Sequence, residues 1–196
     1  MIAACRHAGA SAFFVAGGMC DGGPNPLEVW QKLQEIGARC TRGAAELAMG
    51  SIDPANLRPI DKSQREALER FKKNRAAVGE LILARMKKLP DALRVELGDG
   101  GELAVMWGSP RDPLTPISHD LSDDELYDMV GDDGADVIVS GGAAVSFVRA
   151  LDGVTVVGAG SVGNVRQGDS ERKAAHFILV LPSAEGLRVE PRWVTW

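Results

Sequence analysis

No excess of positive charge, no paired cysteines and no membrane-length apolar run occur in this chain of 196 residues, and each absence excludes a class of function. Lys and Arg total 22 against 27 Asp and Glu, giving a net charge of −5. Nucleic acids and anionic membranes both call for a concentrated basic surface, so neither is an expected partner. Cysteine occurs three times, at Cys5, Cys20 and Cys40, an odd number at irregular spacing with no CxxC pair. That pattern argues against a disulfide scaffold or a zinc knuckle and for reduced thiols in the cytoplasm. A bilayer span needs roughly 20 consecutive apolar residues, and no such run exists. Arg6 and His7 ahead of Ala8 to Ala16 superficially resemble a secretory or lipoprotein leader, but Met19 before Cys20 is too large for a lipoprotein cleavage site. A helix end running into a strand explains the segment better.

What is present is ordinary for a globular protein: 45% hydrophobic and 25% charged residues, with no repeat, low-complexity tract or linker. The length suits a single domain over residues 1–196 with a full core. Residues 1–9 read as a helix end, Ala12 to Ala16 as a buried strand and Gly17 to Pro24 as a glycine-rich loop. Asn25, Pro26 and Glu28 then predict a capped helix start, with Val29, Leu33 and Ile36 on one face, and Ala38 to Thr41 a short strand. Ser63-Gln64-Arg65-Glu66 predicts a capping box opening one long helix to about Lys88, with Phe71, Val78, Leu81, Ile82 and Met86 toward a core. Leu93 to Leu97 and Glu102 to Trp107 flank Gly98-Asp99-Gly100-Gly101 and predict a hairpin. Ser122 to Glu125 is a second capping box, and five strands are expected between Val137 and Val194. Helices and strands in this order point to an α/β domain of packed sheets with flanking helices.

Several segments share a frame with a known family. Gly22-Gly23-Pro24-Asn25-Pro26-Leu27-Glu28-Val29, Gly108-Ser109-Pro110-Arg111-Asp112-Pro113, Gly134-Ala135-Asp136-Val137-Ile138-Val139 and Gly160-Ser161-Val162-Gly163 occur in an order and spacing that resemble the calcineurin-like metallophosphoesterases, particularly the small bacterial branch. The resemblance implies a four-layer α/β/β/α sandwich of two mixed sheets flanked by helices. It also implies two divalent metal ions, such as manganese, iron or zinc, on loops at the carboxyl ends of central strands, where they activate a water for attack on a phosphate ester. The motifs that would hold those ions read GD, GNH, HGSP and GHTH in the family. Here Gly18 replaces the bridging aspartate, Ala44 and Ala45 the asparagine and histidine, Trp107 a histidine, and Gly142 and Ala144 both histidines of the last motif. None of these side chains offers the anionic oxygen or imidazole nitrogen that such ions require. The first family motif, DxH, would precede Met1, so the chain either starts late or has its start placed downstream. A late start would leave a sheet edge for a second copy to cover.

The expectation is therefore a protein with the fold but without the two-metal chemistry, needing no cofactor and binding a protein or small-molecule ligand. The alternative is a divergent hydrolase with a site rebuilt from Asp21, Glu46, Asp112 and His119, with Trp107 and Arg111 alongside. Solvated loop acids are the plainer reading of that set, and an arginine such as Arg111 or Arg42 more often pairs with an acid than holds an anion. Trp107 either packs in the core or fills the volume that metals and water would occupy. His7 reads as a helix-surface residue, His119 as a loop cap and His176 as a satisfied structural histidine; none stands at a motif position. Gly158-Ala159-Gly160-Ser161-Val162-Gly163 fits GxGxxG, yet no helical pattern begins at its third glycine, so a turn between strands is expected.

Overall fold

A computed structural model describes residues 1–20, 23–98, 100–163, 165–166, 173–183 and 186–195. Helix α1 (Ile2–His7) leads into strand β1 (Phe14–Ala16), and helix α2 (Pro26–Glu35) into strand β2 (Arg39–Thr41). Pro26 opens α2, where its missing N–H leaves no bond unmade, but the Asn25 side chain makes no capping hydrogen bond. Helix α3 (Ala44–Ser51) has no counterpart in the sequence reading, because eight residues of mostly small and apolar type show no clear face.

The single long helix expected after Ser63 is two helices. Asp61, not Ser63, is the cap: its Oδ1 accepts from the Gln64 amide at 2.7 Å. Helix α4 (Lys62–Val78) stops at Gly79, whose φ of +80° suits glycine and strains other residues, and α5 (Glu80–Met86) begins directly after it. The break leaves Leu81, expected in the core, 71% exposed, while Val78 and Met86 are buried. Strands β3 (Ala92–Glu96) and β4 (Glu102–Met106) form the expected antiparallel hairpin; Asp99 of its turn lies outside the described residues. Helix α6 (Asp123–Val130) carries the full capping box: Ser122 Oγ accepts from the Glu125 amide at 3.3 Å, and Glu125 Oε2 accepts from the Ser122 amide at 2.8 Å. Strands β5 (Val137–Ser140), β6 (Ser146–Leu151), β7 (Val154–Ala159), β8 (Val165–Arg166), β9 (Lys173–Ser183) and β10 (Gly186–Thr195) complete the chain; β8 alone among them was not anticipated.

The period of two along a strand decides the layers. Ala104, Met106, Ile138 and Val156 point to one side of the mixed sheet β3-β4-β5-β7-β6 and meet Ile117 of the loop after β4 and Leu126 and Val130 of helix α6. Leu103, Val105, Val137, Val139 and Val157 point to the other side and meet Phe14 and Ala16 of β1 with Ile178, Val180, Leu187 and Val189 of β9 and β10. A strand covered on both faces reads as a continuous apolar run, which is why β4 and β5 do. Each fully buried residue such as Ile138 or Val156 contributes about 1.5–3 kcal/mol. A third cluster, including Trp30, Met49, Val78, Leu83 and Met86, packs α2 to α5 with Val15 of β1. Helix, sheet, sheet and helices form the four-layer α/β/β/α sandwich. In the described residues the second β layer comes in two pieces, parallel β1-β2 and antiparallel β8-β9-β10. No described helix is long and apolar enough to cross a membrane.

Candidate functional site at the strand ends

Strands β1 and β2 run parallel, as do β4 and β5, and each of the four is followed within three residues by a replaced motif position: Gly18, Ala44, Trp107 and Gly142. Loops at the carboxyl ends of parallel strands are where α/β folds hold ligands. Here they converge on one side chain, the half-buried indole of Trp107. A Cβ built on Gly17 would lie 2.7 Å from indole Cδ1, one on Gly43 2.5 Å from the same atom, and one on Gly142 3.2 Å from Cε2. Carbon atoms in contact sit about 3.5–4.0 Å apart, so no side chain fits at Gly17 or Gly43 beside the indole, while at Gly142 Pro116 Cβ, 2.5 Å away, is the nearer obstacle. Gly18 is a little further away, its Cβ position 3.8 Å from Nε1. The Trp107 carbonyl is fixed in turn, accepting from the Gly142 amide at 2.8 Å and Ser140 Oγ at 3.1 Å.

Glu46 lies at the first turn of α3, fully buried, and its carboxylate is occupied by backbone amides. Oε2 accepts from Gly43 at 2.8 Å and Gly18 at 3.0 Å, and Oε1 accepts from Met19 at 2.9 Å. An ionised acceptor strengthens each bond, so one side chain ties the loop after β1 to the start of α3. Burial first, and the Glu46 charge second, push the Cys20 thiol up from 9.0 to about 12 and the Cys40 thiol to about 11. Burial likewise raises Cys5, and all three thiols are free. The fold thus favours neutral thiols. Their stabilising contribution is complete below the ordinary value of 9.0 and declines as pH rises toward 11 and 12. Native protein at pH 8 is expected to resist Ellman's reagent at Cys20 and Cys40, and its urea midpoint to fall above pH 9. Fast labelling of both thiols in the folded state would contradict this.

The other candidate residues are distributed unevenly. Gly18, Ala44, Ala45 and Trp107 line one cleft, and Gly142 abuts the indole, whereas Ala144 is exposed. Arg111, Asp112 and His119 are exposed on the loop between β4 and α6. The Thr115 hydroxyl, and then the Leu114 amide, hold Asp112 below the usual carboxylate range. Asp21 lies outside the described residues. Arg42 pairs with Asp91, Nε to Oδ1 at 2.5 Å and Nη2 to Oδ2 at 3.0 Å. His7 is exposed on α1; His176 differs from expectation, its buried Nε2 having no hydrogen-bond partner among the described residues. Residues 160–163 form the expected turn after β7, with no helix. Among the described residues no group of three or more His, Cys, Asp or Glu is placed to hold a metal ion. The donor set that Gly18, Ala44, Ala45, Trp107, Gly142 and Ala144 present does not fit a pair of divalent ions.

Beside the indole, between α3 and α4, opens a cleft of about 560 Å³. Gln64, Ala67, Leu68, Phe71 and Asn74 of α4 line one wall at helical spacing. That spacing is present in the sequence, but the long-helix reading gives the core face to Phe71 and residues further along.

The fold is similar to that of a hypothetical protein from Pyrococcus horikoshii, with a TM-score of 0.78 at 19% identity over 98% of this chain and 79% of that one. It is similar also to a metallophosphoesterase from Sphaerobacter thermophilus, with a TM-score of 0.71 at 18% identity over 97% of this chain and 81% of that one. No protein-family model matches the sequence, and neither does any curated protein. The chain shares the fold of that metallophosphoesterase, with Gly18, Ala44, Ala45, Trp107, Gly142 and Ala144 where the motif frame places metal ligands.

Proposed function

We propose that this protein has lost two-metal phosphoesterase activity and acts as a non-catalytic binding or regulatory protein. One observation carries the reading: Gly18, Ala44, Ala45, Trp107, Gly142 and Ala144 offer no metal donor at the replaced positions, and the Trp107 indole packs against these loops, 2.5 Å from where a Cβ on Gly43 would lie. The ligands are missing, and at one of their positions an indole stands instead. Three free thiols support a reducing, cytoplasmic setting as part of the same reading, and a second copy of the chain is one candidate partner.

The test combines metal analysis with an activity assay. Protein purified without chelator is expected to carry substoichiometric manganese, iron and zinc, and to leave bis-p-nitrophenyl phosphate intact when manganese is added. Stoichiometric metal together with turnover would overturn the proposal. That result would favour the hydrolase alternative built on Asp21, Glu46, Asp112 and His119, for which Glu46 would have to release three backbone amides.

A further inference from the structure

We propose that the cleft beside Trp107 binds an organic anion with a flat apolar body, one carrying a carboxylate, sulfonate or phosphate group; this rests on the non-catalytic reading above. Its volume of about 560 Å³ lies inside the range of small-molecule sites, about 300–1,000 Å³. Its walls are apolar: Met49 and Ala48 from α3, Leu68 and Phe71 from α4, and the indole itself. A flat hydrocarbon body suits such walls, because ring faces bury large area at little entropic cost.

Charge selects the other half of the ligand. The chain has more acids than bases, yet the described residues lining the cleft include two arginines and no acid. Elsewhere Arg42 pairs with Asp91, Arg75 with Glu80, Arg94 with Glu102 and Asp133, and Arg149 with Asp123, whereas Arg6, Arg39, Arg65, Arg85 and Arg111 have no acid partner among the described residues. Arg70 pairs with none of the described residues. Arg58 uses Nη1 on the carbonyls of Ala55 and Leu57, at 2.6 and 3.1 Å, which orients the guanidinium and leaves its other N–H groups available. Gln64 accepts from the Ile60 amide at 3.0 Å through Oε1, so its NH₂ group remains a donor. Donors without acceptors beside apolar walls fit an anion attached to a hydrocarbon, and they disfavour cations and neutral hydrocarbons.

The probes are 8-anilinonaphthalene-1-sulfonate and its uncharged relative N-phenyl-1-naphthylamine, titrated into protein whose cooperative melt shows it folded. One saturable sulfonate site is expected. Replacing Arg58 and Arg70 together with alanine should weaken the sulfonate about tenfold and leave the neutral dye unchanged, since one charge-assisted contact is worth about that factor. Ala67→Trp and, from the other wall, Ala48→Met should reduce both dyes by filling the cleft. No saturable site, equal sulfonate affinity in the double arginine variant, or indifference to both filling variants would each overturn the proposal. The arginines are exposed, so the double variant remains informative if a filling variant fails to fold. Absent dye binding without phosphodiester turnover would remove this proposal and keep the non-catalytic reading; turnover with manganese would remove that reading whatever the dyes do.

Discussion

Glu46→Ala is expected to lower stability by about 3–5 kcal/mol, read as a fall in the urea midpoint with an unchanged slope. The alanine leaves the amides of Gly18, Met19 and Gly43 without their acceptor, and the bonds from Met19 and Gly43 are buried away from water. A buried donor left unmade costs about 1–3 kcal/mol, so two of them and a partly buried third add to that range. Glu46→Gln separates the hydrogen bonds from the charge. Its oxygen can stay with Gly43 and Gly18, but its NH₂ then faces the Met19 amide, donor against donor. About half the alanine effect is therefore expected. The same variant removes one of the three causes that raise the Cys20 thiol, so labelling of that cysteine should quicken at high pH. An alanine variant with an unshifted midpoint would mean that water replaces the carboxylate, and that Glu46 does not hold the loops around Trp107.

Much of this arrangement was legible in the sequence, and what was not has local causes. Strands β3 and β4 follow from the hairpin signal around Gly98 to Gly101, β5 from its apolar run, and the capping box at Ser122 from a serine and a glutamate at the right spacing. The box expected at Ser63 does not form. Ser63 and Glu66 have the same spacing, but Asp61 is a competing cap two residues earlier and takes the Gln64 amide. Gly79 was equally visible, yet whether a glycine breaks a helix depends on the backbone angle that packing demands of it, here +80°. The replaced motif positions could be named from the frame alone. Their convergence on one indole could not, because four loops far apart in sequence supply it. The cleft was missed for a related reason. Its walls come from α3, which no periodicity announced, and from a face of α4 whose alanines and glutamine gave a weak apolar signal.

Gly43→Ala is expected to cost about 1–3 kcal/mol in the native protein and close to nothing once Trp107 is alanine. The backbone at Gly43 is extended, φ −114° and ψ −172°, a conformation any residue adopts, so chain geometry does not require glycine there. What requires it is contact: the three atoms nearest a Cβ at this position are all indole atoms, at 2.5, 2.7 and 3.0 Å. Trp107→Ala alone should destabilise by up to about 3 kcal/mol, less than for a fully buried tryptophan because the ring is half-buried. The double variant should therefore be more stable than the sum of the two single effects, by about the Gly43→Ala cost, a coupling that urea unfolding of all four proteins measures directly. Two controls separate this contact from general crowding. Gly17→Ala should not be rescued, since Gly17 has φ +70° and its Cβ would also lie 2.9 Å from the Gly43 backbone. Gly142→Ala should not be rescued either, because Pro116 Cβ at 2.5 Å and the Trp107 carbonyl oxygen at 2.9 Å remain in its way. Equal Gly43→Ala costs in both backgrounds would break the link between glycine and indole. If the coupling is found, Trp107 and Gly43 act as one packing unit, and no side chain can be placed at Gly43 until the indole has been removed.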